Sequence, residues 1–358
     1  MTDAFIATLP KAELHVHLEG TLEPEMLFAL AGRNRVELPW PDIGQARAAY
    51  TFTGLEHFLP LLFQAASVLR GGQDFYDLAH AYLTRAAADG VRRTEMFLGV
   101  QTFLDAGVPI AEQIDTVLAA ISDARTDLGI DGALIITCQR HRSQTAALEV
   151  LDLIEPWRDR ILGIGLGAAE RGNPPAKFAD YYTAARARGY RTTIHAGEDG
   201  PADYVREALD VCRPDRIDHG VAAVTDPALL GRLRDEAIPL TVCPLSNVAL
   251  RVVPSMAAHP LRAMVAAGLL VTVNSDDPPY FGGYVNDNYE AVRTHLGLDR
   301  ATLATLARNS FRASFDDQHR IATHIAAVDE HVRTTPLSRP SPPSVTPSDT
   351  AEQVPPRQ

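Results

Sequence analysis

Basic side chains never gather into a block in this 358-residue sequence, and its formal net charge is −12. Nucleic-acid phosphates and anionic membranes are therefore excluded as expected partners, whereas small neutral or cationic molecules remain acceptable. No stretch approaches the ~18 consecutive apolar residues of a membrane span. The opening segment "MTDAFIATLPKAELHVH" lacks a basic run followed by a long apolar one, so neither insertion nor secretion is expected. Cysteine is scarce too. Cys138, Cys212 and Cys243 are odd in number and widely spaced, which matches neither a disulfide framework nor a close-spaced zinc motif, and a reducing cytoplasm is the expected location. Lysine occurs only at Lys11 and Lys177, neither at the end of a candidate strand, so no carbamylated lysine is available to bridge two metal ions. No G-x-G-x-x-G turn follows the first apolar run, and no G-x-S-x-G elbow surrounds Ser246.

What is present is an alternation. Short runs rich in Val, Ile, Leu and Thr recur between longer stretches of helical period, the pattern of a parallel sheet. The strand candidates are "AELHVHLEG", "RTEMFLGV", "GALIITCQ", "ILGIGLGA", "RTTIHAGE", "RIDHGV", "IPLTVCPLS" and "LLVTVNSDD". Among the helices, "DFYDLAHAYLTRAAADG" lines up Phe75, Leu78, Ala79, Tyr82 and Leu83 on one stripe and stops at Gly90. A second, "IAEQIDTVLAAISDARTDLG", stops at Gly129. Eight such pairs over about the ~250 residues typical of the fold predict a TIM-type (β/α)8 barrel in one domain, residues 1–333. The segment 22–70 is too long for a single first helix and predicts extra helices over the barrel mouth. From Thr334 to Gln358 the chain is dense in Pro, Ser and Thr, predicting a disordered tail.

The chemistry concentrates at candidate strand ends. His15 and His17 are two apart and share one strand face, which in a barrel is the interior. Alone, H-x-H is equally the mark of a half-buried strand with two hydrogen-bonded histidines. His195 ends the fifth candidate strand and Asp276 and Asp277 end the eighth. Each has an ordinary alternative, a core histidine in one case and a helix N-cap before proline in the other. Three strand ends that carry compatible ligands converge on a single metal ion at the mouth. Three imidazoles and a carboxylate suit zinc, with water completing the shell at a pKa lowered to ~7; iron, manganese and cobalt also fit. Glu198, three residues past His195, is placed to hand a proton to a substrate, and His219, ending "RIDHG", to orient and deprotonate water or to support the ligands.

With "PKAELHVHLEGTL", "HAGEDGP", "RIDHGV", "PLTVCPLSN" and "VTVNSDDPPYFGGY" assembled, residues 10–332 resemble the adenosine and adenine deaminase family of metal-dependent amidohydrolases, nearest in appearance to its adenine branch. The resemblance implies one Zn²⁺ held by His15, His17, His195 and Asp276, Glu198 as proton donor, His219 as assistant to the water, and Asp277 on a nitrogen of the purine's five-membered ring. It implies hydrolysis of adenine to hypoxanthine and ammonia, with adenosine or a substituted adenine as alternatives. Two departures bear on the substrate. "GLGAAE" stands where the adenine branch usually shows "GLDSSE", and "FLGVQTFL" stands for "FFDPQTHT". Both follow strands, so Gly167 and Phe103 are expected to line the mouth and leave room for an apolar or larger substituent. Glu19 is a candidate contact to a sugar, if one is present. A zinc- and purine-binding module without turnover is the reading of another class, and the presence of both Glu198 and His219 speaks against it. The H-x-E plus P-C-x-x-C combination of the unrelated zinc deaminases is absent.

Overall fold

The computed structural model describes residues 2–335. Its frame is β1 (Lys11–His17), β2 (Val91–Leu98), β3 (Asp131–Gln139), β4 (Gly163–Gly167), β5 (Arg191–Ala196), β6 (Arg216–His219), β7 (Leu240–Val242) and β8 (Val271–Val273). Every neighbouring pair is parallel and the spatial order is the chain order. The ring closes just past β8, where Asp276 donates its N–H to the His15 carbonyl and accepts the His17 N–H, both at 3.0 Å. Asn274 Oδ1 takes the Leu14 N–H at 2.9 Å in the same seam. The expected (β/α)8 barrel is what forms.

Alternation along β1 explains how one strand serves two purposes. Ala12, Leu14 and Val16 belong to the hydrophobic core, and the helix Arg300–Arg312 packs on this strand. Glu13, His15 and His17 take the opposite face and look into the barrel. The interior is correspondingly polar. Arg216 of β6, fully buried, donates to Glu95 Oε2 of β2 at 2.7 Å and to the Leu14 carbonyl at 3.2 Å. Arg93 donates to Glu95 Oε1 at 3.0 Å and to Asp131 Oδ2 at 2.6 Å. A ladder of alternating charge therefore occupies part of the space that branched apolar side chains fill in most barrels of this type.

The helix Gly72–Ala88 buries Phe75, Leu78, Ala79, Tyr82, Leu83 and Ala86, and the chain turns at Gly90 with φ +83°. The helix Ile110–Leu128 ends on Gly129 in the left-handed conformation, which glycine adopts without steric cost. Residues 22–70 form three helices, Pro24–Asn34, Ile43–Ala48 and Leu55–Ala66. The last lays Leu55, Phe58 and Leu62 toward the mouth, with Phe58 4.7 Å from Phe281 ring to ring. The final helix, Gln318–Thr334, runs one residue into the segment predicted as tail. Residues 336–358 of that predicted tail lie outside the described residues.

Glu95 is the only acceptor in this ladder shared by two buried guanidinium groups. Removing one partner of a buried ion pair leaves an uncompensated charge, so Glu95→Ala is expected to cost about 3–5 kcal/mol of stability, read from the midpoint of denaturant unfolding.

Candidate active site

The seam between β8 and β1 places His15, His17 and Asp276 together, and β5 adds His195 from across the ring. His15 Nε2 lies 3.3 Å and His17 Nε2 3.4 Å from Asp276 Oδ1, and His17 Nε2 lies 3.2 Å from His195 Nε2. Ligand atoms of the three histidines lie within 4.8 Å of one another. The hydrogen-bond network sets the tautomer of His15. The Thr241 hydroxyl spends its proton on Asp218 Oδ1 at 2.9 Å, so it accepts from His15 Nδ1 at 2.9 Å. His15 Nε2 is then a bare lone pair, buried and without a hydrogen-bond partner. Asp218 Oδ2 lies 3.4 Å from His195 Nδ1 and places a carboxylate beside that ring. A buried lone pair beside two further imidazole nitrogens and a carboxylate is an environment that a cation satisfies, so the donor set fits a metal ion.

The protonation states divide the acids. Burial pushes up the pKa of Asp276, but the facing His15, His219 and His17 outweigh it and hold the carboxyl well below its usual range. Burial, reinforced by Asp276 and Glu170, drives Glu198 well above the usual carboxyl range, which favours its protonated form. His219 is held neutral, chiefly by burial. Its Nε2 lies 3.5 Å from Glu198 Oε2 and 3.8 Å from Asp276 Oδ2, and neither ring nitrogen has a hydrogen-bond partner. His219 also groups with His15 and Asp276 as a set of candidate ligands. Its φ of +62° breaks the strand alternation, so Asp218 and His219, consecutive residues, both reach the centre. Asp277 is also raised, by burial and then by Asp276, and its Oδ1 is buried without a partner. Burial takes Glu19 up to about 7. Its Oε1 accepts the Gly99 N–H at 3.0 Å, and Oε2 has no partner.

These groups surround one cavity at the barrel mouth. His17, Glu19, His195, Glu198, His219, Asp276, Asp277 and Gly167 all face it, and the helix Leu55–Ala66 covers it with Leu55, Phe58, Leu59, Leu62 and Phe63. Phe103 does not line it. It lies on the helix Val100–Asp105 and packs edge-on against Phe75 at 4.8 Å, 1% exposed, because the chain turns helical directly after Gly99 and carries this ring outward into the core. Gly99 and Ala168 line the cavity in its place. A Cβ at Gly99 would come within 2.5 Å of Glu19 Oε1, so the glycine is what lets Glu19 dock on that backbone amide.

Three supporting residues were not among those read from the sequence. Asp218 and Thr241 orient the metal-facing imidazoles, and Glu170 binds the loop that carries Glu198. Asp218 was legible in principle, since it shares a β6 face with Arg216 and an inward acid there needs a partner. Glu170 stands out in the sequence only as the acid closing the otherwise apolar and small-residue run "ILGIGLGAAE", with nothing there to name its partners.

Comparison with known proteins matches this architecture. The family model described as adenosine deaminase matches residues 10–331. An adenine deaminase of Rhodopseudomonas palustris is 51% identical over 317 residues, 88% of this chain and 92% of that protein. The crystal structure of an adenine deaminase from Arthrobacter aurescens superposes with a TM-score of 0.90 at 48% identity, covering 91% of this chain and 100% of that one. An amidohydrolase from Burkholderia ambifaria, solved with bound Zn, superposes with a TM-score of 0.85 at 31% identity over 92% of this chain and 93% of that one. With the family model spanning the whole barrel and about half the residues identical to a relative along it, the chain belongs to the adenosine deaminase family.

Proposed function

We propose that the protein is a zinc-dependent hydrolytic deaminase that converts adenine to hypoxanthine and ammonia. The observation that carries this reading is the pairing, at one cavity, of a metal-fitting cluster with the buried carboxyl of Glu198, 3.5 Å from His219 Nε2. The half-identity to proteins named adenine deaminase supports the choice of base. His15, His17, His195 and Asp276 are the proposed ligands. When bound, zinc supplies a Lewis acid that lowers the pKa of a water at the cluster to about 7.

The side chains then divide the work. Glu198 gives its proton to N1 of the purine, drawing electron density from C6 so that oxygen adds there. Neutral His219, within reach of Glu198 and Asp276, takes a proton from the attacking water and holds it close to the tetrahedral centre. His219 returns that proton to the amino group, the C6–N bond breaks with release of ammonia, and the proton of the C6 hydroxyl goes back to Glu198 as the C6 carbonyl forms. Asp277, its pKa raised by burial and its Oδ1 without a partner at the cavity, offers a hydrogen bond to a nitrogen of the five-membered ring. Glu19 presents Oε2 at the cavity wall beside Gly99. The helix Leu55–Ala66 excludes water with an apolar face.

A second reading, a deaminase of substituted adenines, is favoured by Gly167 and Ala168, which add no polar group to the wall facing that apolar helix. The catalytic domain in this proposal is the barrel of residues 1–333 together with the end of its last helix. Placement in the cytoplasm is supported by three buried, unpaired cysteines. Among the described residues no helix is long and apolar enough to cross a membrane.

Glu198→Gln is expected to lower kcat by roughly 10²–10⁴ while the purified protein keeps one zinc per chain by metal analysis; a full rate in that variant removes Glu198 as proton donor. Release of hypoxanthine, or of inosine from adenosine, measured in parallel on adenine, adenosine and N6-alkylated adenines is expected to be fastest with adenine. A preference for the alkylated bases selects the second reading, and no release from any of them defeats both.

A further inference from the structure

The loop "HAGEDG" carries Glu198 between β5 and the helix Ala202–Glu207, and its backbone is gripped by a carboxylate that none of the proposed chemistry uses. Glu170 lies three residues beyond β4 and is fully buried. Its Oε1 accepts the Gly197 N–H at 2.7 Å, and its Oε2 accepts those of Glu198 at 3.0 Å, Asp199 at 2.8 Å and Gly200 at 2.7 Å. Four consecutive amides thus converge on one anion, a concave backbone arrangement that favours negative charge. The two glycines make the wrap feasible. Gly197 has φ +71° and a Cβ there would meet Val205 Cγ2 at 2.5 Å, while a Cβ at Gly200 would meet Glu170 Cδ at 2.8 Å. Arg140, also fully buried, lies 3.8 Å from Glu170 Oε1 and donates to the His195 carbonyl at 2.5 Å. The same segment is therefore held through a carbonyl on one side and through four amides on the other.

We infer that Glu170 is a positioning residue that fixes the catalytic carboxyl of Glu198, an inference that rests on the reading of Glu198 as proton donor. The side chains of the loop diverge. Asp199 turns outward to pair with Arg171 at 2.8 Å, while Glu198 turns inward to His219. The loop backbone must be rigid for that division to hold, and its buried amides have Glu170 as their acceptor. With the anion gone, they turn toward other acceptors and Glu198 moves with them. A displacement of about 1 Å at a reacting group costs on the order of 10² in rate. Glutamine is the discriminating substitution, because its NH₂ would oppose an N–H that now meets an oxygen.

The test compares zinc-loaded wild type, Glu170→Gln, Glu198→Gln and the double variant, each checked for metal content and thermal unfolding, with kcat and KM measured on adenine. Glu170→Gln is expected to lose at least about tenfold in kcat, with KM changed less than about threefold and one zinc retained per chain. The double variant is expected to be within about twofold of Glu198→Gln alone, because the loop has no other catalytic task. A wild-type kcat in Glu170→Gln, or losses that multiply in the double variant, overturns the inference and leaves the role of Glu198 intact. A wild-type kcat in Glu198→Gln itself removes that role and the inference with it. Should Glu170→Gln fail to fold, Gly200→Ala loosens the same wrap from the outside. Reduced kcat with zinc retained then supports the inference, and a wild-type kcat overturns it.

Discussion

Two backbone hydrogen bonds between Asp276 and β1 hold the most consequential position in this molecule. They join the last strand to the first where three of the four proposed metal ligands meet, so the contact that completes the barrel also assembles the centre. Asp276 adopts a left-handed φ of +67°, a conformation that a non-glycine residue keeps only when its surroundings enforce it. Here both neighbours on β1 enforce it. Folding and ligand geometry are thus one event: a barrel that failed to close would have neither the seam nor the site.

Below the centre, the interior is an electrostatic scaffold rather than an oily filling. Arg216 lies 3.8 Å from Asp218, and Asp218 in turn faces His15 and His195. The same Arg216 binds Glu95, which binds Arg93, which reaches Asp131 near the opposite end. Such a ladder contributes little net stability beyond what apolar packing would, because each charge has been taken out of water. What it supplies is direction. Rings oriented by buried acceptors present one defined nitrogen to the centre, and a hydrocarbon core has no means of doing that.

The eight strands were legible because each is a short apolar run bounded by turn residues, and the three histidines were legible because they stand at the ends of such runs. Phe103 was misplaced for a reason that generalises. Alternation predicts side-chain direction only while the strand lasts, and the chain becomes helical at Val100, so a residue four positions past Gly99 points by helical rules. His219 and Ala168 break the pattern differently, through positive φ values that composition does not announce. Glu170 escaped because its partners are backbone amides, which are the same in every sequence. The last helix extended to Thr334 because its apolar positions at Ile321 and Val328 are sparse and give a weak period toward the end.

Gly99 and Glu19 form a pair whose consequence reaches beyond this chain. Any side chain at 99 would occupy the space where the Glu19 carboxyl now sits. The two positions are therefore not free to drift separately: a lineage that acquires a larger residue at 99 must swing or shorten the acid at 19 in the same evolutionary step. Covariation between a β1 loop and a β2 end, eighty residues apart in the chain, is the trace that such a constraint leaves among descendants of a common ancestor.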